Sequence, residues 1–175
     1  MGKEQIARQI YLQSSRTQKP IIVIEAGGAE IVGLHDPKSN RNEMYNRIKS
    51  YFLNADGGTI ILKNIQLLNF EKQSVFLHIL SEEHPDVRMI CTANGTLMKL
   101  LADEDFRDNL FYMLRQSNIT VPPLREMSED IPDIADYLLA IYAQKMSHAK
   151  KRLDASAIKA LKLYPWPGNI RELKD

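Results

Sequence analysis

The chain has 175 residues, 44% of them hydrophobic and 26% charged, a composition typical of one globular domain of ordinary size, with or without a small attachment. The formal net charge of +1 argues against a general attraction to nucleic acid or to anionic membranes, and no stretch approaches the roughly 20 apolar residues that a membrane span needs. The single cysteine, Cys91, excludes a disulfide framework within the chain and suits a reducing, cytoplasmic location.

The first half of the chain alternates between helical and strand patterns. Residues 3–14 read as a helix, and the apolar run 21–24 reads as a strand that is buried on both faces. A polar loop over 29–41 leads to a helix centred on 44–52, for which Asn40 or Asn42 can serve as the cap. A second strand, 58–62, follows a turn that contains two glycines.

The same alternation continues as far as two consecutive prolines. A helix begins near Glu71, a third strand covers 87–92, and a helical pattern covers about 96–114. A fourth short strand, 119–121, is stopped by Pro122 and Pro123. Strands that alternate with helices predict βαβ units and a mostly parallel sheet.

Beyond the prolines only helical patterns occur. A helix is predicted over 132–146, a second one is capped by Asp154, and a last one is capped by Asn169. Trp166, between two prolines, is best explained as a core anchor of these helices rather than as a stacking surface for a ligand. The chain therefore divides into an α/β core, 1–125, and a small helical subdomain, 126–175.

Polar residues appear abruptly where the second strand ends, at Lys63 and Asn64. In α/β domains that hydrolyse nucleotides, this place usually holds acidic residues, of which one holds Mg²⁺ and the next polarises the attacking water. Here it holds an amine and an amide. Two roles are open for Lys63: a point charge for a phosphate, or a side chain that reaches from the strand end to water.

Five stretches form an ordered set of motifs: 54–62, 87–94, 106–112, 121–132 and 166–173. In order and spacing they resemble the central AAA+ domain of bacterial sigma-54-dependent transcription activators of the nitrogen-regulator type. Taken in the same order, the five stretches look like the approach to the Walker B strand, the sensor I strand, the arginine-finger helix, a family signature and the sensor II turn. The resemblance implies an AAA+ P-loop-type parallel sheet with flanking helices, followed by a small all-α lid.

The resemblance also implies a nucleotide site for ATP or ADP. Gly2, Lys3 and Glu4 match the tail of the Walker A loop, although the strand and glycine turn that precede it in the family are missing from this chain. The sensor residues correspond to Asn94 and Arg171. Lys3 remains open as a phosphate ligand or a surface lysine, and Arg171 as a γ-phosphate sensor or as the ion-pair partner of Glu172 or of a neighbour.

The departures from the family pattern affect the residues that would carry out catalysis. Lys63 and Asn64 stand where the family has the Walker B aspartate and glutamate, and a lysine there repels Mg²⁺. Glu25 stands where the family has an asparagine switch. Arg107 matches the first arginine finger, which reaches a neighbour's nucleotide in the family's rings, but Met113 replaces the second. An interface or solvated role for Arg107 is the alternative.

The leading hypothesis is a degenerate sigma-54-interaction AAA+ domain of a transcriptional regulator, a regulatory or oligomerising module with residual binding of ATP or ADP and little or no hydrolysis. The first alternative is an active Mg-ATPase that remodels sigma-54 RNA polymerase. Its Walker A strand would have been trimmed from this chain, and Glu25 or a neighbouring subunit would supply the acid. The second is a structural module that binds no nucleotide. The family implies self-association and sigma-54 RNA polymerase as partners, but its sigma-contacting loop has no counterpart in residues 26–50. DNA binding would need a domain outside this chain.

Overall fold

The computed structural model describes residues 2–28, 41–95, 106–149 and 151–175. The elements of the first part are α1 (Lys3–Leu12), β1 (Ile21–Glu25), α2 (Arg41–Asn54), β2 (Thr59–Lys63), α3 (Phe70–His78), β3 (Arg88–Cys91) and α4 (Asp108–Leu114). The second part contains α5 (Ile131–Met146), α6 (Ala155–Leu163) and α7 (Asn169–Lys174). Residues 29–40 of the predicted loop 29–41, with the candidate cap Asn40, and residues 96–105 of the predicted helix 96–114 lie outside the described residues.

The described strands form one parallel sheet in the order β1-β2-β3. The central strand β2 is buried along its first four residues, because it has a neighbour on either edge and helices over its faces. Its register pairs Ile22 with Ile60 on one side and Ile60 with Met89 on the other. The predicted parallel α/β sheet is thereby confirmed.

The core of the first part lies between the sheet and helices α2 and α3. Ile48 and Phe52, four residues apart on α2, are almost completely buried, as is Phe76 of α3. The rings of Phe52 and Phe76 meet edge to face at 5.9 Å between centroids. This packing fixes β2, whose carboxyl end carries Lys63.

The turn before β2 explains the two glycines that precede it. Gly57 has φ +67°, a conformation that glycine adopts without the steric cost paid by other residues. A Cβ on Gly58 would lie 2.0 Å from the carbonyl oxygen of Pro20, which itself accepts a hydrogen bond from the Thr59 N–H. The second glycine therefore lets two backbone segments come close at the start of the sheet.

Two local predictions are wrong. Residues 119–121 form no strand, and Ile119 is 62% exposed, because the segment has no strand partner among the described residues. Asn169 does not cap α7; Gly168 occupies the cap position, and Asn169 Oδ1 accepts a hydrogen bond from the Leu124 N–H instead. Asp154 does cap α6, since its side chain accepts from the Ala157 N–H.

The contacts divide the chain into two compact units, 3–119 and 120–175, and the second also includes Gly2. The core of the second unit consists of Leu124, Ile131 and Trp166. Trp166 is 8% exposed, and its indole N–H donates to the carbonyl oxygen of Leu161 at 2.8 Å. It therefore anchors the core of this helical unit, as the sequence predicted.

Candidate functional site

The carboxyl ends of the parallel strands bring several polar side chains together at one edge of the sheet. Glu25 ends β1, Lys63 ends β2, and Thr92 follows β3. Glu25 and Lys63 are also direct register partners between the two strands. In open α/β folds, ligands bind at this carboxyl edge, so these residues occupy the position expected of a functional site.

Lys63 is held by two carboxylates. Its Nζ lies 3.1 Å from Oε2 of Glu25 and 3.1 Å from Oε1 of Glu4, in the first turn of α1. The side chain is 21% exposed, and hydrogen bonds to Glu25 and Glu4 raise its pKa despite partial burial. Lys63 thus forms an ion-pair bridge, which neither of the two roles predicted for it describes.

Asn64 turns the chain at the end of β2. Its φ and ψ are both 54°, in the left-handed region, which asparagine tolerates better than most residues. Its backbone N–H donates to Oγ1 of Thr92 at 3.2 Å, and its side-chain amide donates to Oε1 of Glu25 at 2.7 Å. The amide therefore contacts the same carboxylate as Lys63.

A second polar chain runs from Asn64 to α1. The side-chain amide of Asn94 donates to Oδ1 of Asn64 at 3.2 Å, and Lys3 Nζ donates to Oδ1 of Asn94 at 2.6 Å. The backbone N–H of Asn94 donates to Oε1 of Gln66. Partial burial lowers the pKa of Lys3. Lys3 and Asn94, which were predicted to correspond to the Walker A lysine and to the sensor I residue, thus contact each other directly.

These contacts connect six side chains, which we call the edge network: Lys3, Glu4, Glu25, Lys63, Asn64 and Asn94. Its two ammonium groups and two carboxylates cancel in charge. All six belong to the first compact unit. All six were candidate site residues from sequence, and the structure additionally gives Glu25 and Glu4 a shared cation in Lys63.

The donor set of the edge network does not fit Mg²⁺. A hard divalent cation prefers carboxylate, hydroxyl and water oxygens, and both carboxylates here already contact an ammonium group. A cation 4 Å from that ammonium would be repelled by about 4 kcal/mol for each unit of its charge near a protein surface. Among the described residues, no group of three or more His, Cys, Asp or Glu side chains could hold a metal ion.

Glu25 is in no position to act as a free base. Burial acts to raise its pKa, but the hydrogen bonds from Asn64 and Lys63, together with the charge of Lys63, lower the pKa overall. The carboxylate therefore stays ionised at neutral pH with both oxygens engaged. A base that activates water needs a free oxygen directed at that water.

Arg107 lies apart from the edge network, at the start of α4. Its guanidinium stacks on the ring of Phe70 at 3.5 Å from the centroid, and its backbone N–H donates to Oε1 of Gln73. This cation–π contact holds the side chain against its own subunit. The structure thus gives Arg107 an intramolecular partner that the sequence did not suggest.

Gly2 and Arg171 also lie outside the edge network. Gly2 directly precedes α1 and is partly buried, and Arg171 is exposed on α7. Glu172, the predicted partner of Arg171, instead accepts hydrogen bonds from the Gly168 N–H and the Tyr164 hydroxyl. Within the part of the chain that the structure describes, Arg171 and Glu172 form no ion pair.

Sequence reasoning missed Thr92 and Gln66. Each accepts a hydrogen bond from the backbone N–H of a network residue, Asn64 and Asn94 respectively. The position of Thr92 directly after β3 was the available signal, because polar residues at the carboxyl ends of parallel strands share one edge. Gln66 sits in a short 3₁₀ turn, Ile65–Leu67, and carried no such signal.

Comparisons with known proteins give the same family over the whole chain. Residues 1–124 match the family model described as the Sigma-54 interaction domain, and residues 125–175 match the one described as the AAA+ ATPase lid domain. The chain is 34% identical over 192 residues to the DNA-binding transcriptional activator HyfR of Escherichia coli, covering 99% of this chain and 28% of HyfR. It is 31% identical to the nitrogen assimilation regulatory protein NtrX of Azorhizobium caulinodans, covering 99% of this chain and 41% of that protein.

Solved structures agree with the sequence comparison. NtrX from Brucella abortus, crystallised in complex with ADP and with ATP, superimposes with TM-scores of 0.79 and 0.80 at 25% identity. The matches cover 99% of this chain and 41–42% of that one, so the chain spans less than half the length of these relatives. Together with the parallel sheet and the following helical unit, these matches show that the chain belongs to the sigma-54 interaction domain family of AAA+ transcriptional regulators.

Proposed function

We propose that this domain is a degenerate member of its family, which regulates or oligomerises without effective hydrolysis of ATP. The observation that carries the proposal is the bridge of Lys63 to Glu4 and Glu25, at 3.1 Å each. It occupies the position where hydrolysing relatives need one carboxylate for Mg²⁺ and another for water. An ammonium and an amide supply neither function.

A phosphate-release assay on the purified chain with Mg-ATP tests this proposal. We expect turnover far below the roughly 1 s⁻¹ at the lower end of ordinary enzymes. A Mg²⁺-dependent turnover at or above that rate would refute the proposal and favour the active ATPase. In that case Glu25→Ala should abolish the activity, because Glu25 is the carboxylate proposed to replace the missing acid.

Binding of ATP or ADP without hydrolysis is part of the proposal. The support is the NtrX relative crystallised with both nucleotides, together with the ammonium of Lys3 and the amide of Asn94 at the carboxyl edge. Calorimetric titration with ADP and ATP measures it, and Lys3→Ala is the matched variant. A saturable heat that this variant weakens supports a nucleotide site at Lys3.

One observation favours the alternative of a structural module that binds no nucleotide. The ammonium of Lys3 already donates to Oδ1 of Asn94 at 2.6 Å, and the charges of the edge network cancel. A phosphate would have to compete with that bond and would find no net positive environment. The same titration decides, since no heat with either nucleotide favours this alternative.

The partners follow from the family. We infer self-association and contact with sigma-54 RNA polymerase at the level of the whole regulator, with residues 1–125 as the core and 126–175 as the lid. The family matches meet at 124/125 and the contacts divide at 119/120, which supports this boundary. Sedimentation velocity of the chain with and without ATP measures self-association. None of the described helices is long and apolar enough to cross a membrane. Because the relatives HyfR and NtrX are transcriptional regulators, we assign the whole regulator to the cytoplasm.

A further inference from the structure

The positions of Glu4 and Lys63 suggest more than a loss of catalytic groups. In a P-loop, the hydroxyl of the Ser or Thr that follows the lysine binds Mg²⁺, and an aspartate at the end of the Walker B strand holds the same ion. Here the residue after Lys3 is Glu4, and the strand ends in Lys63. Both positions that would hold the metal ion in the family thus carry charged residues of opposite sign. Nζ of Lys63 lies 3.1 Å from Oε1 of Glu4.

A third group completes the arrangement. Glu25 reaches Lys63 Nζ from the neighbouring strand at 3.1 Å and is oriented by the Asn64 amide on its other oxygen. One cationic centre is therefore shared by side chains from α1, β1 and β2. The exposed fractions fall from 58% for Glu4 to 35% for Glu25 and 21% for Lys63, so the cation is the least exposed of the three.

We propose that the ammonium group of Lys63 is the resident cation of this edge, held by Glu4 and Glu25 in place of a divalent metal ion. It ties the start of α1 to the sheet without metal, so the fold of this unit is independent of Mg²⁺. This inference rests on the proposed function in one respect: the proposed function identifies the residues that flank the position of the metal ion. The experiments that test it contain no nucleotide. A failure of the ATPase prediction can therefore be distinguished from a failure of the metal-binding prediction.

Thermal unfolding followed by circular dichroism in EDTA, Mg²⁺ and Mn²⁺ tests the inference. The wild type should unfold at the same Tm in all three. Lys63→Met, which keeps the aliphatic stem but removes the charge, should lower Tm by about 2–4 °C. A wild-type Tm that rises with Mn²⁺, and no longer does so in Glu25→Gln, overturns the inference.

Rescue by metal is the sharper measurement. Lys63→Ala removes the resident cation and leaves room between Glu4 and Glu25, so Mn²⁺ should raise its Tm by about 2 °C or more. The double variant Lys63→Ala with Glu25→Gln should lose this response. Absence of any response in Lys63→Ala overturns the inference, because the two carboxylates would then form no cation site.

A matched control comes from the pair of Lys49 and Glu83, 2.8 Å apart with similar exposed fractions of 35% and 27%. Lys49→Ala leaves one carboxylate and should gain no Mn²⁺ response. Should Lys63→Ala fail to fold, electron paramagnetic resonance of Mn²⁺ titrated with the wild type gives an independent answer. An undiminished signal of free Mn²⁺ is expected, and a bound fraction that Glu25→Gln removes contradicts the inference.

Discussion

The Nζ of Lys63 lies 3.1 Å from Oε2 of Glu25, and the two residues also face each other in the register of β1 and β2. In a parallel pair of strands, register partners lie side by side, so the side chains of Glu25 and Lys63 pair where the backbones of their strands pair. Backbone bonds continue beyond it, from the Ala26 N–H to the Lys63 carbonyl oxygen at 2.9 Å. The charges at this edge therefore contribute to the stability of the sheet.

This ion pair predicts a defined dependence of stability on pH. The pKa of Glu25 is lowered, so its contribution is present above the pKa of the unfolded chain and is lost as pH falls through the folded value. The pKa of Lys63 is raised, so its contribution is present below the unfolded pKa and is lost as pH rises through the folded value. Between these limits the contribution should be constant.

The free energy of unfolding of the wild type and of Lys63→Met, measured by urea titration across pH, checks this. The difference between the two should be largest near neutral pH and should shrink as Glu25 becomes protonated at acidic pH. Added salt should also reduce it, because both partners are partly exposed. A difference that does not change between pH 7 and acidic pH would contradict the assignment to Glu25.

Thr59 offers a second prediction, at the buried start of β2. Its hydroxyl is fully buried and finds no hydrogen-bond partner among the described residues. Burying such a group costs about 1–3 kcal/mol, so Thr59→Val, which keeps the branched shape, should raise the free energy of unfolding by about 1 kcal/mol.

The matched control for this change is Thr92→Val. The Thr92 hydroxyl accepts the hydrogen bond from the Asn64 N–H at 3.2 Å, so its removal should lower the free energy of unfolding by about 1 kcal/mol. Urea titration of both variants compares them directly. Equal effects of the same sign would show that the hydroxyl of Thr59 has a partner.

Most of the sheet could be predicted because strand and helix patterns are local. The runs 21–24 and 58–62 contain apolar β-formers between glycine or proline breaks, and the structure shifts their ends by one residue at most. The run 119–121 has the same composition but no neighbour to pair with among the described residues. A strand needs such a partner, which composition alone does not reveal.

The site was predictable in its residues but not in its contacts. Family positions singled out Lys63, Glu25 and Lys3 one by one, whereas the bridge depends on how α1 approaches two strand ends in space. The same holds for Arg107, whose partner Phe70 is 37 residues away in sequence. Side-chain pairs between distant segments are set by tertiary packing, which periodicity does not encode.

The two glycines before β2 are required for different physical reasons, so replacing each of them with alanine should have a different cost. Gly58→Ala places a Cβ 2.0 Å from the carbonyl oxygen of Pro20, a backbone atom that cannot move without disturbing the hydrogen bond to the Thr59 N–H. We expect a loss of about 3 kcal/mol or more in the free energy of unfolding, in the range of severe overpacking.

Gly57→Ala is the control, because its Cβ would meet only Lys19 Cδ at 3.9 Å. Its cost should be the conformational one of a non-glycine residue at φ +67°, about 1 kcal/mol. Both variants are compared by urea titration. If Gly58→Ala proved no more destabilising than Gly57→Ala, the close approach of Pro20 would not be the reason for glycine at position 58.

Trp166 is the only tryptophan of the chain and lies in the core of the helical unit. Trp166→Phe keeps an aromatic ring in the core of the helical unit but removes the N–H that donates to the Leu161 carbonyl oxygen at 2.8 Å. Leaving that oxygen without its donor and reducing the buried area should cost about 1–3 kcal/mol of the stability of this unit.

Circular dichroism follows the unfolding of this variant, which has no tryptophan fluorescence. The control is Tyr164→Phe, which removes the exposed hydrogen bond from the Tyr164 hydroxyl to Glu172 but leaves the ring that contacts Trp166 at 4.9 Å between centroids. Because that bond is exposed to water, its loss should cost less than about 0.5 kcal/mol. Equal losses in the two variants would mean that Trp166 contributes to the helical unit no more than a surface contact does.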